Sequence, residues 1–124
     1  MHLTGTLVDL HQRRLYPAEI RIAEGRIVEI RELFDQQINT STTQHLILPG
    51  FVDAHVHVES SMLPPTEFAR LAVTHGTVAT VSDPHEIANV LGVPGVEWMV
   101  QNARQTPFKF CFGAPPCVPA TTFE

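Results

Sequence analysis

The residues that most constrain the fold of this chain lie at positions 49–57, Pro-Gly-Phe-Val-Asp-Ala-His-Val-His. A proline–glycine turn followed directly by a short apolar run predicts a strand over residues 51–58. Phe51 and Val52 at its start are typical of a strand that is buried on both faces. Because side chains alternate across a strand, His55 and His57 point to the same side.

Two imidazoles on one face of a strand can bind one metal ion, and a bound metal ion can activate water. The chain has seven histidines, so the spacing alone is equally compatible with two ordinary strand residues. The context favours the metal, because burying Asp53, His55 and His57 on one face is costly unless they are paired or ligating. We therefore expect His55 and His57 to be metal ligands.

The chain after residue 49 alternates between strand and helix patterns. Proline in the first turn predicts a helix that begins at Pro64-Pro65 and ends at Gly76. Further strands are expected over residues 77–81 and 108–112, with a helix between them that Pro107 ends. The positions at helical spacing that would face the core are Phe68, Leu71, Ala72 and His75 in the first helix and Val96, Met99, Val100 and Ala103 in the second.

This β-α-β-α-β order predicts parallel strands joined by right-handed crossovers. In such α/β folds the chemistry lies at the carboxyl ends of the strands, which here carry His57, Asp83 and residues 115–117. The three phenylalanines of the third strand share one face, which we expect to pack under the helices. The other face carries Lys109 and Cys111 and would line a barrel interior or a cleft, with Cys111 packed inside.

Residues 1–48 have a different pattern of short strands. Glu24-Gly25 between alternating apolar runs predicts a β-hairpin. Residues 35–44 are polar and are expected to form a loop, and residues 46–48 form another short strand. This β-layer is too small to be a complete sandwich by itself.

Two polar segments follow the first and second strands of the β-α-β-α-β region. Glu59, with Ser60 and Ser61, either lies beside a metal site or belongs to a polar loop that caps the next helix. In residues 83–86, Asp83 can be an N-cap, Pro84 the first helical residue and Glu86 the partner in a capping box. Gly92 would end that helical turn. A cap is compatible with a second role at the rim of a site for His85 and Glu86.

Bulk composition excludes several classes of protein. The net charge of −5 and the pI near 5.7 argue against a nucleic-acid or anionic-membrane partner. The N-terminus lacks the basic and apolar regions of a signal peptide, so a cytoplasmic location is expected. Cys111 and Cys117 do not form a C-x-x-C pair and are expected to be free thiols. The sequence contains no nucleophile elbow, glycine-rich phosphate loop or Ser-His-Asp set.

Residues 49–57 resemble the first barrel strand of the amidohydrolase superfamily, which includes dihydroorotases, hydantoinases, deacetylases and several deaminases. Three further stretches, residues 59–62, 83–92 and 116–124, are similar to the adenine deaminases within that superfamily. The resemblance covers most of the chain and is strongest after Pro49.

The resemblance implies a fold class of α/β: a partial β/α barrel preceded by a small β-sandwich-like layer. Residues 1–48 would belong to a composite β-sandwich and residues 49–124 to the first units of an incomplete TIM barrel. The implied reaction is the hydrolysis of adenine to hypoxanthine and ammonia, with a manganese or iron pair activating water. His55 and His57 match the metal ligands of the first strand. Glu59, His85 and Glu86 match positions at the active-site rim.

In that family the remaining ligands come later in the chain, so further catalytic groups are expected beyond Glu124. The chain then resembles the N-terminal part of an adenine deaminase. Two imidazoles alone make a weak, open metal site, and we expect the 124 residues by themselves not to deaminate adenine. An unpaired strand edge and the phenylalanine face predict self-association into a homo-oligomer.

Two alternatives remain at this point. Another amidohydrolase, such as a cyclic-amide hydrolase, would share the His-x-His strand but would not need residues 83–92. A non-catalytic metal-binding or oligomerising module would bind metal without turnover.

Overall fold

The computed structural model describes residues 1–34 and 45–121. The chain divides into two compact units, Met1–Pro49 and Gly50–Glu124. The loop expected over residues 35–44 lies outside the described residues, as do residues 122–124.

The first unit is a mainly antiparallel sheet of four strands, in the order β3-β2-β1-β4. The strands are β1 (His2–Asp9), β2 (Arg14–Ala23), β3 (Arg26–Glu32) and β4 (Leu46–Ile47). β1 pairs with β2 and β2 with β3 in antiparallel register, whereas β4 runs parallel to β1. One side of the sheet holds a small core of Leu7, Tyr16, Ala18 and Ile20.

The hairpin predicted at Glu24-Gly25 is confirmed between β2 and β3. Both turn residues have positive φ, 52° at Glu24 and 71° at Gly25. This is the backbone that a two-residue turn needs to match the right-handed twist of the flanking strands.

The second unit is a parallel sheet of three strands, in the order β5-β6-β7. Its elements are β5 (Phe51–Val56), α1 (Pro65–Ala72), β6 (Thr77–Ser82), α2 (His85–Ala103) and β7 (Lys109–Phe112). Both pairings are parallel, which confirms the predicted β-α-β-α-β order. The strands described form an open sheet and not a closed barrel.

The phenylalanines of β7 pack on one face of the sheet, as predicted. The Phe108 ring lies 4.7 Å from Phe110 and 6.4 Å from Phe68 of α1, measured between ring centroids. Phe110 stacks on Phe112 at 5.8 Å. These aromatic contacts join β7 to the first helix of the unit.

The face of α1 differs from the predicted one. Pro65 and Ala69 are buried, whereas Leu71 is 55% exposed and His75 is also exposed. The α-helix ends at Ala72, and the next turn is a 3-10 helix over Val73–His75. The 3-10 turn has three residues per turn, so it rotates His75 away from the buried face. Gly76, at φ 85°, ends this turn at the predicted position.

Helix α2 is interrupted at Gly92, whose φ of 63° and ψ of −153° are not helical. This confirms that Gly92 ends the first turns of the helix. After the interruption, Met99 and Ala103 are buried, as the spacing predicted. The predicted cap is wrong: Pro84 is the N-cap residue, and it makes no side-chain cap hydrogen bond. Asp83 instead directs its carboxylate to His85.

The burial expected for β5 and β7 is also wrong. β5 ends at Val56, and a 3-10 helix follows over Val58–Ser61. Phe51 is 55% exposed and Val52 61% exposed, because β5 contacts chiefly β6 and neither helix of the described unit covers it. Cys111 is exposed, since it lies on the face of β7 opposite the phenylalanines.

Candidate metal centre

The candidate site forms where β5 and β6 end side by side. His57 follows β5, and Asp83 follows β6. The backbone N–H of Asp83 donates to the carbonyl oxygen of Val56 at 3.1 Å. This bond extends the parallel pairing past the strand ends and fixes the two loops beside each other.

The side chains of His55 and His57 lie together, as their spacing predicted. Their Nε2 atoms are 3.1 Å apart. The Nδ1 atom of His57 lies 2.8 Å from the backbone carbonyl oxygen of Asp83. A carbonyl oxygen only accepts hydrogen bonds, so Nδ1 carries the proton and Nε2 of a neutral His57 presents a lone pair. That is the tautomer that a metal ligand needs.

His85, from the first turn of α2, completes a cluster of three imidazoles. Its ring centroid lies 4.7 Å from that of His57. Its Nδ1 atom lies 3.2 Å from Oδ2 of Asp83. Two overlapping sets of side chains place one ligand atom each within 4.8 Å of one another: His55, His57 and Asp83, and His57, His85 and Glu86.

Glu59, in the 3-10 helix after β5, and Glu86, in the first turn of α2, bring their carboxylates to the start of α2. Oε1 of Glu59 accepts a long hydrogen bond of 3.4 Å from the backbone N–H of Ile87. The hydroxyl of Ser60 donates to Oε1 of Glu86 at 2.6 Å. The segment after β5 is therefore joined to the first turn of α2 by two carboxylates. Glu86 makes its bond to Ser60, so the predicted capping-box partnership with Asp83 is wrong.

The donor set fits a divalent cation. Two nitrogen ligands about 2.1 Å from one ion are 3.1 Å apart when the angle between them is about 95°. Among residues 1–34 and 45–121, Oε2 of Glu59 and Oδ1 of Asp83 are buried carboxylate oxygens without a hydrogen-bond partner. A buried anionic oxygen without a partner is costly, and a cation beside it offsets that cost. Without a cation, the His55–His57 separation also suits a hydrogen bond between the rings.

Sequence reasoning named His55, His57, Glu59, His85 and Glu86, and the structure brings all five to one edge of the sheet. It placed Asp83 at the carboxyl end of the second parallel strand, where the chemistry is expected, but gave its side chain only the role of an N-cap, because an Asp-Pro pair before a helix is typical of one. It gave Ser60 no partner.

Comparisons with known proteins identify the family. The family model described as "Amidohydrolase family" matches residues 46–124.

The chain belongs to the amidohydrolase family.

Curated relatives of this family member carry the name adenine deaminase. One, from Sulfurovum sp. (strain NBC37-1), is 61% identical over the whole chain, which is 22% of that relative's length. Another, from Salinibacter ruber, is 61% identical over 98% of the chain and 21% of its own length. A third, from Borreliella burgdorferi, is 51% identical over 98% of the chain and 21% of its own length. The predicted resemblance to adenine deaminases is therefore confirmed, and the chain spans about a fifth of the length of these relatives.

Neither helix in the part of the chain that the structure describes combines the length and apolarity needed to cross a membrane. Both cysteines, Cys111 and Cys117, are free and exposed.

Proposed function

We propose that this chain is the N-terminal part of a metal-dependent adenine deaminase, and that His55 and His57 are its first two metal ligands. The observation that carries the proposal is the pair of Nε2 atoms 3.1 Å apart, with the tautomer of His57 fixed by the Asp83 carbonyl. The names of the relatives supply the substrate. The finer fold belongs to the same proposal: residues 1–48 part of a composite β-sandwich, and residues 49–124 the start of a β/α barrel.

The reaction is hydrolytic: water adds to the ring carbon that bears the amino group, and that carbon loses the nitrogen as ammonia. When bound, a divalent cation, manganese or iron, supplies Lewis acidity that makes a water molecule a better nucleophile. His57 contributes a fixed lone pair, because its Nδ1 proton is held by the Asp83 carbonyl. Glu59, His85 and Glu86 form the rim, where Ser60 orients the Glu86 carboxylate. A carboxylate there can accept hydrogen bonds from the N–H groups of a purine.

The residues of this chain do not complete a catalytic site in this proposal. His55 is exposed, and an open site with few protein ligands holds a cation weakly. The remaining ligands and proton carriers are expected beyond Glu124. The 124-residue chain prepared with manganese is accordingly expected not to consume adenine.

A chimera tests the proposal. In it, this chain replaces the matching residues of the Sulfurovum relative, to which it is 61% identical over its whole length. We expect the chimera to consume adenine, followed by ultraviolet absorbance, and to lose that activity with His57→Ala. His75→Ala is the matched control, because His75 is an exposed histidine outside the cluster.

Three outcomes would contradict the proposal. Turnover of a dihydropyrimidine without turnover of adenine would identify a cyclic-amide hydrolase instead. A folded chimera that binds metal in a discrete oligomer but hydrolyses neither compound would favour a non-catalytic module. Adenine turnover by the 124 residues alone would show that the site is complete within this chain.

A further inference from the structure

We propose that His85 is a third nitrogen ligand of the cation that His55 and His57 hold, and that the Asp83 carboxylate is its positioning group. The proposal rests on the proposed function, because it needs a cation at the histidine pair. It adds to the two ligands from the end of β5 a third ligand from the first turn of α2, which follows β6.

The first argument is the tautomer of His85. Its Nδ1 atom lies 3.2 Å from Oδ2 of Asp83, and an ionised carboxylate only accepts hydrogen bonds. The proton of a neutral His85 therefore lies on Nδ1, and Nε2 presents its lone pair. A carboxylate behind a histidine is the arrangement that orients histidine ligands in metal sites and makes them more basic.

The second argument is that Asp83 prepares both rings at once. Its backbone carbonyl accepts the Nδ1 proton of His57 at 2.8 Å, and its carboxylate accepts that of His85. One residue thus leaves the Nε2 atoms of two neighbouring histidines as acceptors. The two rings are neighbours, with centroids 4.7 Å apart, and an unprotonated Nε2 atom on each is available to a cation.

The third argument is the distance between the rings. The His57 and His85 rings meet edge to face at 4.7 Å, and the ligand atoms of His57, His85 and Glu86 lie within 4.8 Å of one another. Ligands on opposite sides of one ion are at most about 4.2 Å apart, twice a metal–nitrogen distance of about 2.1 Å. His57 belongs to both ligand sets, whereas His55 and His85 do not share one, so binding by all three requires the His85 side chain to rotate toward the pair.

The fourth argument is how the His85 backbone is held. Asn89 donates through Nδ2 to the carbonyl oxygens of His85, at 2.9 Å, and Cys117, at 2.8 Å. These bonds join the first turns of α2 to the loop after β7. The side chain of His85 is 27% exposed and that of Asp83 17%, so both are sheltered enough for an ordered ligand position.

The test is a titration of the 124-residue chain with Co²⁺, followed by visible absorption and calorimetry. We expect His85→Ala to weaken Co²⁺ binding by roughly tenfold or more and to change the visible spectrum, as losses around metal ligands do. His75→Ala is expected to leave both unchanged, and circular dichroism checks that each variant folds. His57→Ala tests whether Co²⁺ binding depends on the His55–His57 pair.

The outcomes separate the two proposals. If His57→Ala abolishes binding while His85→Ala leaves affinity and spectrum unchanged, the histidine pair stands and His85 is not a ligand. If the wild-type chain binds no Co²⁺, the proposed metal site fails together with this inference.

A measurement on the unmodified chain covers the case in which His85→Ala does not fold. Zn²⁺ is added to chain labelled with ¹⁵N-histidine, and the ring nitrogens are observed by NMR. We expect the Nε2 resonances of His55, His57 and His85 to shift and that of His75 to stay in place. Movement of only His55 and His57 would overturn the proposal.

Discussion

At the scale of single residues, Asn89 shows how one side chain joins two parts of the second unit. Its Nδ2 group donates to the carbonyl oxygens of His85 and Cys117, and its Oδ1 atom accepts from the backbone N–H of Ala120 at 2.9 Å. All three partners are backbone groups. The Asn89 side chain therefore satisfies backbone groups of the loop after β7, at Cys117 and Ala120, and it joins that loop to α2.

Asn89→Ala removes these three hydrogen bonds. We expect the free energy of unfolding to fall by about 1–3 kcal/mol, because each net hydrogen bond contributes about 1 kcal/mol. The backbone amide of Ala120 should exchange with solvent faster, as measured by hydrogen–deuterium exchange. Asn89→Asp keeps the acceptor for Ala120 and should protect that amide better than alanine does. Equal exchange in all three proteins would contradict this role.

Glu19 makes the first unit sensitive to acid. Its carboxylate accepts a hydrogen bond from Arg31 at 2.6 Å and contacts His2 at 3.2 Å. The Arg31 guanidinium, followed by His2, lowers the pKa of Glu19 below its ordinary value of 4.5. A lowered pKa stabilises the folded state above the unfolded pKa, and that contribution is lost as the pH falls through the folded pKa.

We therefore expect the melting temperature of the wild-type chain to fall as the pH is lowered below about 4.5, the ordinary pKa of glutamate. Glu19→Gln should lower the melting temperature at pH 7 and reduce the fall below that pH. Glu24→Gln is the control, since Glu24 is an exposed residue of the β2–β3 turn. If the melting temperatures of wild type and Glu19→Gln fall equally as the pH is lowered, Glu19 is not the source of the acid sensitivity.

At the scale of elements, the interruption of α2 separates the part of the helix that carries site residues from the part that packs in the unit. The turns before Gly92 carry His85, Glu86 and Asn89 at the edge of the candidate site. The turns after it bury Met99 and Ala103 in the unit. The backbone of Gly92, at φ 63° and ψ −153°, lies in a region that side chains exclude.

Gly92→Ala isolates this backbone requirement. An added Cβ would lie 3.9 Å from the nearest atom, Cδ of Pro94, so there is room for a methyl group. The cost is then conformational, and we expect a loss of about 1–3 kcal/mol in the free energy of unfolding measured with urea. Gly113→Ala is the matched control, because its Cβ would meet Ser82 O at an ordinary 3.7 Å. If Gly92→Ala leaves the free energy of unfolding unchanged, the interruption of α2 does not require glycine at this position.

The sequence predicted element order well, and the reasons are local. Pro65 restricts φ at the start of α1, and Gly76 and Gly92 permit the positive φ values that end or interrupt a helix. The shared face of His55 and His57 follows from the alternation of a strand. The role of Asp83 depends on which strand lies next to β5, and no local pattern contains that information. The burial of Phe51 and Cys111 depends likewise on what covers each face.

At the scale of the whole chain, much apolar surface is exposed. Phe51, Val52 and Val93 are between 55% and 70% exposed, and Trp98 is 50% exposed. In the described sheet of the second unit, β5 and β7 each pair on one side only. Exposed apolar residues and free strand edges both favour association with other chains.

We expect the 124-residue chain to self-associate at micromolar concentration, as measured by sedimentation velocity. Val52→Lys, which places a charge on the edge strand β5, should shift the distribution toward monomer. Thr74→Lys is the control, since Thr74 is exposed in the turn after α1 and lies on no strand edge. A monomeric wild-type chain at about 100 μM would contradict the prediction.

The two oxygens that Asp83 offers to its neighbours differ in how substitutions can affect them. Every amino acid placed at position 83 keeps the backbone carbonyl that holds His57, but only some keep the carboxylate that holds His85. Variation at this position therefore acts on one histidine and spares the other. A substitution at position 83 therefore leaves the hydrogen-bond acceptor of His57 in place, because that acceptor is a backbone atom. The same substitution can remove the acceptor of His85, because that acceptor belongs to the side chain.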